Sequence, residues 1–208
     1  MHDEIAGLIN HYYGNKLESF TARQKQAVQP IDVGTGWIKE LLIGPRLSFI
    51  EVQQQETFKS SPREAAVVAQ LVKAIKHHYG REFDSHKVGI MTPWRAQISE
   101  IQKAIGEEDL LAQVTVDTIE RYQGSEKEII IISTAIYSPN QLKMIQSLNA
   151  DGKVDRKLNV AISRAKDRLI MIGNPANLSD RHYLEMIERI KTTGLYLKAA
   201  DYQLHSQE

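Results

Sequence analysis

The chain has 208 residues and carries 26 basic and 26 acidic side chains, so its formal net charge is zero and neither a blanket polycation nor a polyanion is expected. With 42% hydrophobic and 25% charged residues, its composition is that of a globular protein, and at about 150 residues per domain its length predicts one large domain or one domain with an arm. The absence of cysteine excludes disulfide frameworks, cysteine-based zinc sites and cysteine nucleophiles.

The first 44 residues show little periodicity, and we interpret them as a lead-in segment of a single domain. Within them, IAGLINHYYG predicts a helix that ends at Gly14, whereas GTGWIKELLIG has no clear period. Over residues 45–195, short apolar runs alternate with segments of helical period, which is the pattern of an α/β domain whose mostly parallel sheet is flanked by helices on both faces. Residues 196–208 are expected to form a C-terminal arm.

A strand and a well-delimited helix open this alternation. Ser48–Val52 predicts the strand. The helix is expected to begin after Ser61 as N-cap, with Pro62 as its first residue and Glu64 closing a capping box. Its apolar positions recur at helical spacing, and Gly80 is expected to end it in a left-handed conformation.

Similar elements follow along the chain. Four further strands are predicted from apolar runs: Val88–Met91, Val114–Val116, Glu128–Thr134 and Arg168–Ile172. The four isoleucines at 129–132 indicate a strand buried on both faces. Three helices are predicted: one with Thr92 as N-cap and Pro93 as first residue, one over Leu158–Ala165, and one over Leu178–Lys191 with Tyr183, Leu184, Ile187 and Ile190 facing inward. The polar stretch at 138–157 is expected to be a long, mobile connection.

Several apparent motifs fail on spacing. Gly34-Thr35-Gly36 resembles the start of a dinucleotide fingerprint, but the position of the third glycine is Lys39, so an ordinary turn is the better interpretation. No segment has the G-x-x-x-x-G-K-[ST] spacing of a phosphate loop. His77 and His78 are adjacent rather than four residues apart, so they are poorly placed to share a metal ion, and we expect no metal site in this chain.

Three segments in fixed order carry the strongest signal: VGIMTPWRAQ at 88–97, TVDTIERYQGSEKEIIIIS at 115–133 and LNVAISRAKDRLIMIG at 158–173. Together they resemble motifs of the second RecA-like domain of superfamily 1 helicases, in the branch that contains the nonsense-mediated-decay helicase and the nuclease-helicase of Okazaki-fragment processing. That branch typically reads T-P-Y-x-x-Q, then T-[IV]-[DE]-x-[FY]-Q-G-x-E-x-[DE], then L-N-V-A-[LI]-[TS]-R-A. The resemblance covers residues 45–175 and implies a RecA-like fold of the P-loop NTPase type.

The resemblance implies nucleotide chemistry for two of these segments. Arg164 would be the catalytic arginine finger, whose guanidinium neutralises charge that develops on a γ-phosphoryl group during transfer. Taken by itself, Arg164 has a second interpretation as a surface ion-pair partner. Gln123, Gly124 and Glu126 would bind the nucleotide, with an ordinary left-handed turn as the alternative.

Other residues would bind nucleic acid. Thr92 and Thr118 are hydroxyl donors at strand ends that would hold backbone phosphates, or would only cap the strands. Trp94 and Arg95 would stack on a base or nucleotide, or would only pack against the edge of the sheet, and Trp94 stands where the family commonly has Tyr. A basic strip comprises Lys153, Arg156, Lys157, Arg164, Lys166 and Arg168. Of these, Lys153, Arg156 and Lys157 would add long-range attraction for phosphates.

The resemblance thus implies the C-terminal motor domain of an ATP-dependent helicase that uses ATP with Mg²⁺ and tracks along single-stranded nucleic acid, with DNA favoured and RNA as the alternative. Its partner would be the first RecA-like domain of the same polypeptide, which would carry the phosphate loop and the Mg²⁺ ligands. The chain alone is therefore expected not to hydrolyse ATP. The opening MHDEI resembles a stretch that begins inside the family's Q-Y-R-M-H motif, which would put the family's adenine- and phosphate-contacting Tyr and Arg before Met1.

A second class of function is open on the same residues: a RecA-like module without catalysis that binds nucleic acid or docks a protein. In either case we expect no membrane partner and a cytoplasmic location. The longest apolar run, Ala65–Ala69, is far shorter than the ~20 residues that span a bilayer, and residues 1–20 lack the layout of a signal peptide.

Overall fold

A computed structural model of the chain describes residues 1–18, 21–53, 59–122 and 125–202. Its centre is a sheet of six strands: β1 (Leu47–Glu51), β2 (Val88–Thr92), β3 (Thr115–Thr118), β4 (Lys127–Ser133), β5 (Ala165–Gly173) and β6 (Leu195–Lys198). The strand order is β3-β2-β4-β5-β1-β6, and every neighbouring pair is parallel. The predicted α/β class with a parallel sheet is confirmed.

Helices cover both faces of this sheet. They are α1 (Asp3–Ile9), α2 (Gly36–Ile43), α3 (Pro62–Tyr79), α4 (Arg95–Ile105), α5 (Glu108–Leu111), α6 (Pro139–Ile145), α7 (Arg156–Ser163) and α8 (Arg181–Thr193). Within the described ranges, four 3₁₀ turns accompany them, at Asn10–Tyr13, Ala22–Lys25, Gly80–Glu82 and Ala199–Tyr202. In the part of the chain that the structure describes, no helix is both long and apolar enough to cross a membrane.

The central strand β4 shows how the two cores are divided. Ile130 and Ile132 face a core that they share with residues of α1, α6, α7 and α8. Ile129 and Ile131 face the opposite core, which is formed with α2, α3, α4 and α5. Because successive side chains of a strand point to opposite faces, four consecutive apolar residues suit a strand that is covered on both sides. The prediction of burial on both faces is confirmed.

The starts of α3 and α4 differ from the sequence prediction. Ser61 caps α3 as expected, since its hydroxyl accepts the Glu64 N–H at 3.2 Å, but the Glu64 side chain turns away to the end of β4 and closes no capping box. Helix α4 begins at Arg95 with Trp94 as its N-cap, so the prediction of Thr92 as N-cap and Pro93 as first residue is wrong. The reason is that Thr92 still pairs with Thr118 in the sheet, which keeps the backbone extended.

The polar connection at 138–157 is more structured than predicted. Ser138 caps the short helix α6, which has Pro139 as its first residue. The carboxylate of Asp155 then accepts N–H groups from Ser147 at 3.2 Å and from Lys157 at 3.0 Å. Because Asp155 is buried and fixes backbone on both sides of the turn, the prediction of a long, mobile connection is wrong.

Two further differences concern the end of the chain. Leu184, which was predicted to face inward, is 44% exposed, whereas Met186 and His182 of the same helix are buried. Residues 196–198, which we had assigned to an arm, belong to β6 and pair in parallel with β1, with Leu197 buried at the edge of the core. A four-residue edge strand leaves only a short alternation in the sequence, which is why it was missed.

Candidate nucleotide and nucleic-acid sites

The predicted site residues divide between the two ends of the parallel strands. We call the end at which β4 and β5 begin the amino edge, and the end at which β2, β3 and β4 finish the carboxyl edge. Glu126 and Arg164 immediately precede β4 and β5, so they lie at the amino edge. Thr92 and Thr118 are the last residues of β2 and β3, so they lie at the carboxyl edge.

Arg164 is held at the junction of α7 and β5. Its N–H donates to the Ala161 carbonyl at 3.3 Å, and its own carbonyl accepts the Lys127 N–H at 3.1 Å, which fixes its backbone between α7 and β4. The side chain is half-buried, and its Nε is buried without a hydrogen-bond partner among the described residues. Buried guanidinium donors are normally satisfied, so the unused Nε is an exception. Because Nε itself is covered, an anionic ligand would meet the outer part of this half-buried guanidinium.

Glu126 lies beside Arg164 at this edge, because the next residue, Lys127, is the one whose N–H binds the Arg164 carbonyl. Its carboxylate is 3.7 Å from the Lys166 ammonium group, and both side chains are exposed, so the pair contributes little to stability and can be broken by a ligand. Gln123 and Gly124, the other two predicted nucleotide-binding residues, lie outside the described residues.

Tyr122 anchors the loop that leads to Glu126, and sequence reasoning did not assign it a role. Its ring is 1% exposed and lies across β2 at Gly89, where a Cβ would approach the Tyr122 hydroxyl to 2.1 Å. That hydroxyl donates to the Thr115 carbonyl at 3.5 Å, and burial is the main cause that raises the pKa of the phenol. The signal available in the sequence was an isolated glycine inside a strand, which marks a close approach of another group.

A pair of buried arginines fixes the lead-in segment near the amino edge. The sequence analysis did not predict this role for either arginine. Arg46 donates to the Gln26 carbonyl at 2.6 Å and to the Asp167 carboxylate, and Arg168 donates to the Gln29 carbonyl at 2.6 Å. Both guanidinium groups are at most 2% exposed. Arg168 is therefore not part of a surface strip, contrary to the grouping made from the sequence.

The register of the sheet brings the two carboxyl-edge threonines together, because Thr92 and Thr118 are direct Cα partners of β2 and β3. Their environments differ. Thr92 is fully buried, and its hydroxyl accepts the Trp94 N–H at 3.4 Å. This contact fits the alternative interpretation, in which Thr92 only caps the end of its strand. Thr118 is half-buried, and its own N–H donates to the Asp117 carboxylate at 2.7 Å.

Trp94 and Arg95 point to different surroundings. The indole is only 9% exposed, belongs to the core, and has the Lys59 ammonium group 4.8 Å from its ring centroid. This buried position fits the alternative interpretation, in which Trp94 only packs against the edge of the sheet, and it leaves no open ring face for a base. Arg95 is exposed at the first turn of α4, next to the threonine pair.

The predicted phosphate-attracting residues lie around the start of α7. Lys153 is 73% exposed and 3.5 Å from Asp151, and Arg156 is exposed. Lys157 is 2.6 Å from Glu120, two residues beyond Thr118, so this end of α7 lies near the carboxyl edge. Burial acts to raise the pKa of Glu120, but its hydrogen bonds, with Lys157 foremost, and the charge of Lys157 together outweigh burial, so the pKa is lowered. No group of three or more His, Asp or Glu side chains that could hold a metal ion occurs within the described ranges.

The strand order, the parallel pairing and the helices on both faces define a RecA-like α/β domain. A family model, AAA_12, described as an AAA domain, matches residues 1–176. The chain therefore belongs to this family, and it is the C-terminal RecA-like domain of a superfamily 1 helicase in the branch that its three motifs resemble.

Individual relatives agree with this membership. The chain is 29% identical over 178 residues to the DNA replication ATP-dependent helicase/nuclease JHS1 of Arabidopsis thaliana, which covers 80% of this chain and 13% of JHS1. It is 32% identical over 146 residues to MOV-10 of Gallus gallus, covering 64% and 15%, and 28% identical over 215 residues to senataxin of Mus musculus, covering 97% and 7%; both are named as helicases. The chain thus spans a small part of these relatives.

Among solved structures, the C-terminal domain of a possible DNA helicase from Lactobacillus plantarum WCFS1 aligns with a TM-score of 0.43 and 14% identity, over 74% of this chain and 84% of that one.

Proposed function

We propose that this domain is the second motor domain of an ATP-dependent nucleic-acid helicase and that Arg164 is its arginine finger. The observation that carries the proposal is the position of Arg164 at the amino edge, with an unpartnered buried Nε and with Glu126 beside it. A planar guanidinium whose backbone is fixed between two elements can meet developing phosphoryl charge with little reorganisation. Membership of a helicase family supports ATP as the proposed ligand.

The nucleotide would lie between this edge and the first motor domain. Glu126, together with Gln123 and Gly124, would bind the nucleotide, and the weak pair with Lys166 would open when the nucleotide binds. We assign the Mg²⁺ ligands and the phosphate loop to the first motor domain. In this chain, the amino edge itself offers the Arg164 guanidinium and the exposed Glu126 carboxylate, which supports this division between the two domains.

The carboxyl edge would be this domain's part of the single-strand track. Thr118 and Arg95 are accessible there, and Lys153, Arg156 and Lys157 would add attraction for phosphates. Thr92 would act through the backbone turn that its hydroxyl holds at Trp94. We propose DNA as the strand because JHS1, which aligns with 80% of the chain, is named as a DNA replication helicase.

A salt titration of oligonucleotide binding tests the track. With two to four phosphates neutralised, log K for a single strand should fall with log salt at a slope of roughly −1.4 to −2.8. Replacing Lys153, Arg156 and Lys157 by Ala should flatten the slope without changing the relative affinity among base sequences. Replacing Lys39, Lys103 and Lys191, exposed lysines on three other helices, removes a matched charge and should leave the slope unchanged.

The second candidate function is a module without catalysis that binds nucleic acid or docks a protein, and its protein-docking form makes the opposite prediction. If binding of the oligonucleotide is independent of salt, or is absent, the carboxyl edge is not a track. Equal affinity for DNA and RNA strands of the same sequence would contradict the choice of DNA but not the track itself.

A further inference from the structure

A buried carboxylate at the carboxyl edge has no part in the function proposed above. Glu64, the third residue of α3, is fully buried. Both of its carboxylate oxygens accept the Ala135 N–H, at 3.1 and 3.0 Å, and one of them accepts the Ser133 hydroxyl at 2.8 Å. Ala135 has a φ of +46°, a left-handed conformation that side-chain-bearing residues rarely adopt. Glu64 therefore stabilises a strained turn directly after β4.

Gln97 extends this arrangement to α4. It is fully buried, its carbonyl oxygen accepts the Ser61 N–H at 2.6 Å, and its amide group donates to the Ser61 carbonyl at 3.2 Å and to the Ser133 hydroxyl oxygen at 2.9 Å. One network of hydrogen bonds thus joins the start of α3, the first turn of α4 and the end of β4. Arg95 begins α4, and β4 pairs with β2 up to Met91, the residue before Thr92.

The groups that face Glu64 from the elements packed against it are neutral. They are the Gln97 amide from α4, the Ser133 hydroxyl from β4, and the backbone after β4. Arg63, its neighbour on α3, is exposed and donates to the Gln53 carbonyl, and Arg95 is exposed at the start of α4. Burial therefore raises the pKa of Glu64 to about 7, although the hydrogen bonds from Ala135 and Ser133 oppose the rise.

Protonation would change what the carboxyl group can do. The ionised form only accepts hydrogen bonds, which suits the Ala135 N–H and the Ser133 hydroxyl together. The protonated form must donate one hydrogen, so one oxygen no longer accepts from Ala135, and the turn loses part of its support.

We propose that Glu64 is a positioning residue for the nucleic-acid surface: its ionised carboxylate holds the turn at Ala135 and the first turn of α4 in the geometry that presents Arg95 and Thr118 to a single strand. The choice of ligand rests on the proposed function. Glu64 itself touches no nucleic acid, so its effect is transmitted through Ser133, Ala135 and Gln97.

The structural part of the inference is tested by nuclear magnetic resonance of the whole chain. The backbone amide of Ala135 and the side-chain amide of Gln97 should titrate together between pH 5.5 and 8.5, with a midpoint at about 7. The titration should disappear in Glu64→Gln and persist in Glu108→Gln, which removes an exposed carboxylate on α5. If Ala135 does not titrate, or still titrates in Glu64→Gln, the inference is overturned.

The functional part is tested by the affinity for a fluorescent oligo-dT strand at constant salt over the same pH range. Because one charge-assisted hydrogen bond is weakened, Glu64→Gln should bind about fivefold more weakly than the wild type at pH 8.5 and equally at pH 5.5. Histidine protonation affects both proteins alike, so it cancels in the ratio. Glu108→Gln should match the wild type throughout.

The outcomes separate this inference from the proposed function. If the wild type binds the strand and Glu64→Gln binds equally at every pH, the positioning role is overturned and the track stands. If the wild type does not bind, the proposed track and the positioning role both fail. Should Glu64→Gln not fold, Ser133→Ala removes a single hydroxyl from the network, and undiminished binding by that variant at pH 8.5 overturns the inference equally well.

Discussion

Substitution of Gly89 by Ala tests how the loop before β4 is anchored. The added Cβ would lie 2.1 Å from the Tyr122 hydroxyl, 2.9 Å from its Cζ and 2.8 Å from Cγ of Lys127. Such distances are far inside van der Waals contact, and the ring is 1% exposed, so it cannot move aside without vacating its site.

The expected cost follows from two opposing effects. Overpacking of a filled site costs about 1–3 kcal/mol, whereas replacing glycine in a strand by alanine recovers about 0.5–1 kcal/mol. Displacement of the ring also loses the contacts that Tyr122 makes, so we expect the free energy of unfolding to fall by about 2 kcal/mol. Urea unfolding of the chain measures this difference directly.

Two variants sharpen the measurement. Tyr122→Phe removes the atom nearest to the new Cβ and only a 3.5 Å hydrogen bond, so in combination with Gly89→Ala it should restore about 1 kcal/mol, a coupling that independent sites would not show. Gly7→Ala is the matched control, because its Cβ would meet only the flexible end of Arg189, and it should be neutral or stabilising. Wild-type stability for Gly89→Ala, or strict additivity with Tyr122→Phe, would refute the anchoring role.

Two further predictions concern buried charge. Because the pKa of Glu64 is raised from 4.5 to about 7, the folded chain keeps a proton there that the unfolded chain has released, so stability from this group is full below pH 4.5 and is lost as pH rises through 7. The wild type should therefore lose about 3 kcal/mol relative to Glu64→Gln between pH 4.5 and 8 in urea unfolding, and a constant difference would show that the group is not buried as described. Arg46→Met should cost about 3 kcal/mol, because it removes the donor to the Asp167 carboxylate and leaves only the His2 ring, 2.8 Å away, at the Gln26 carbonyl. Arg81→Met on the surface should change little. Equal stability of these two variants would show that Arg46 does not fix the lead-in segment to the sheet.

The sequence was most informative where local pattern and tertiary context agree. The apolar runs of β2, β4 and β5 have few alternatives to a buried strand, and Ser61 with Pro62 marks the start of α3 without ambiguity. The weak signals belonged to short elements. Helix α6 has seven residues and β6 has four, so neither shows a full period of its pattern.

Side-chain direction was the part of the site that local rules could not supply. The capping-box pattern predicts that the Glu64 side chain binds a local partner at the start of α3. Its carboxylate instead binds the Ala135 N–H just after β4, 71 residues away in sequence. Lys157 was predicted as a phosphate ligand and pairs with Glu120 through a contact that no local rule predicts. The family motifs fixed which residues lie at each edge, because parallel strands place motif ends together, yet they could not tell that Trp94 is covered.

The most direct test of the motor-domain account is nucleic-acid-stimulated ATP hydrolysis by a polypeptide that carries this domain together with a phosphate-loop motor domain. Arg164→Ala should reduce turnover by about 10³–10⁵ while nucleotide affinity changes far less, since an arginine finger acts mainly in the transition state. Arg181→Ala removes an exposed arginine at the start of α8, which follows the far end of β5 from Arg164, and it should retain wild-type turnover. A loss of about tenfold or less for Arg164→Ala, below the range of an arginine finger, would contradict the account.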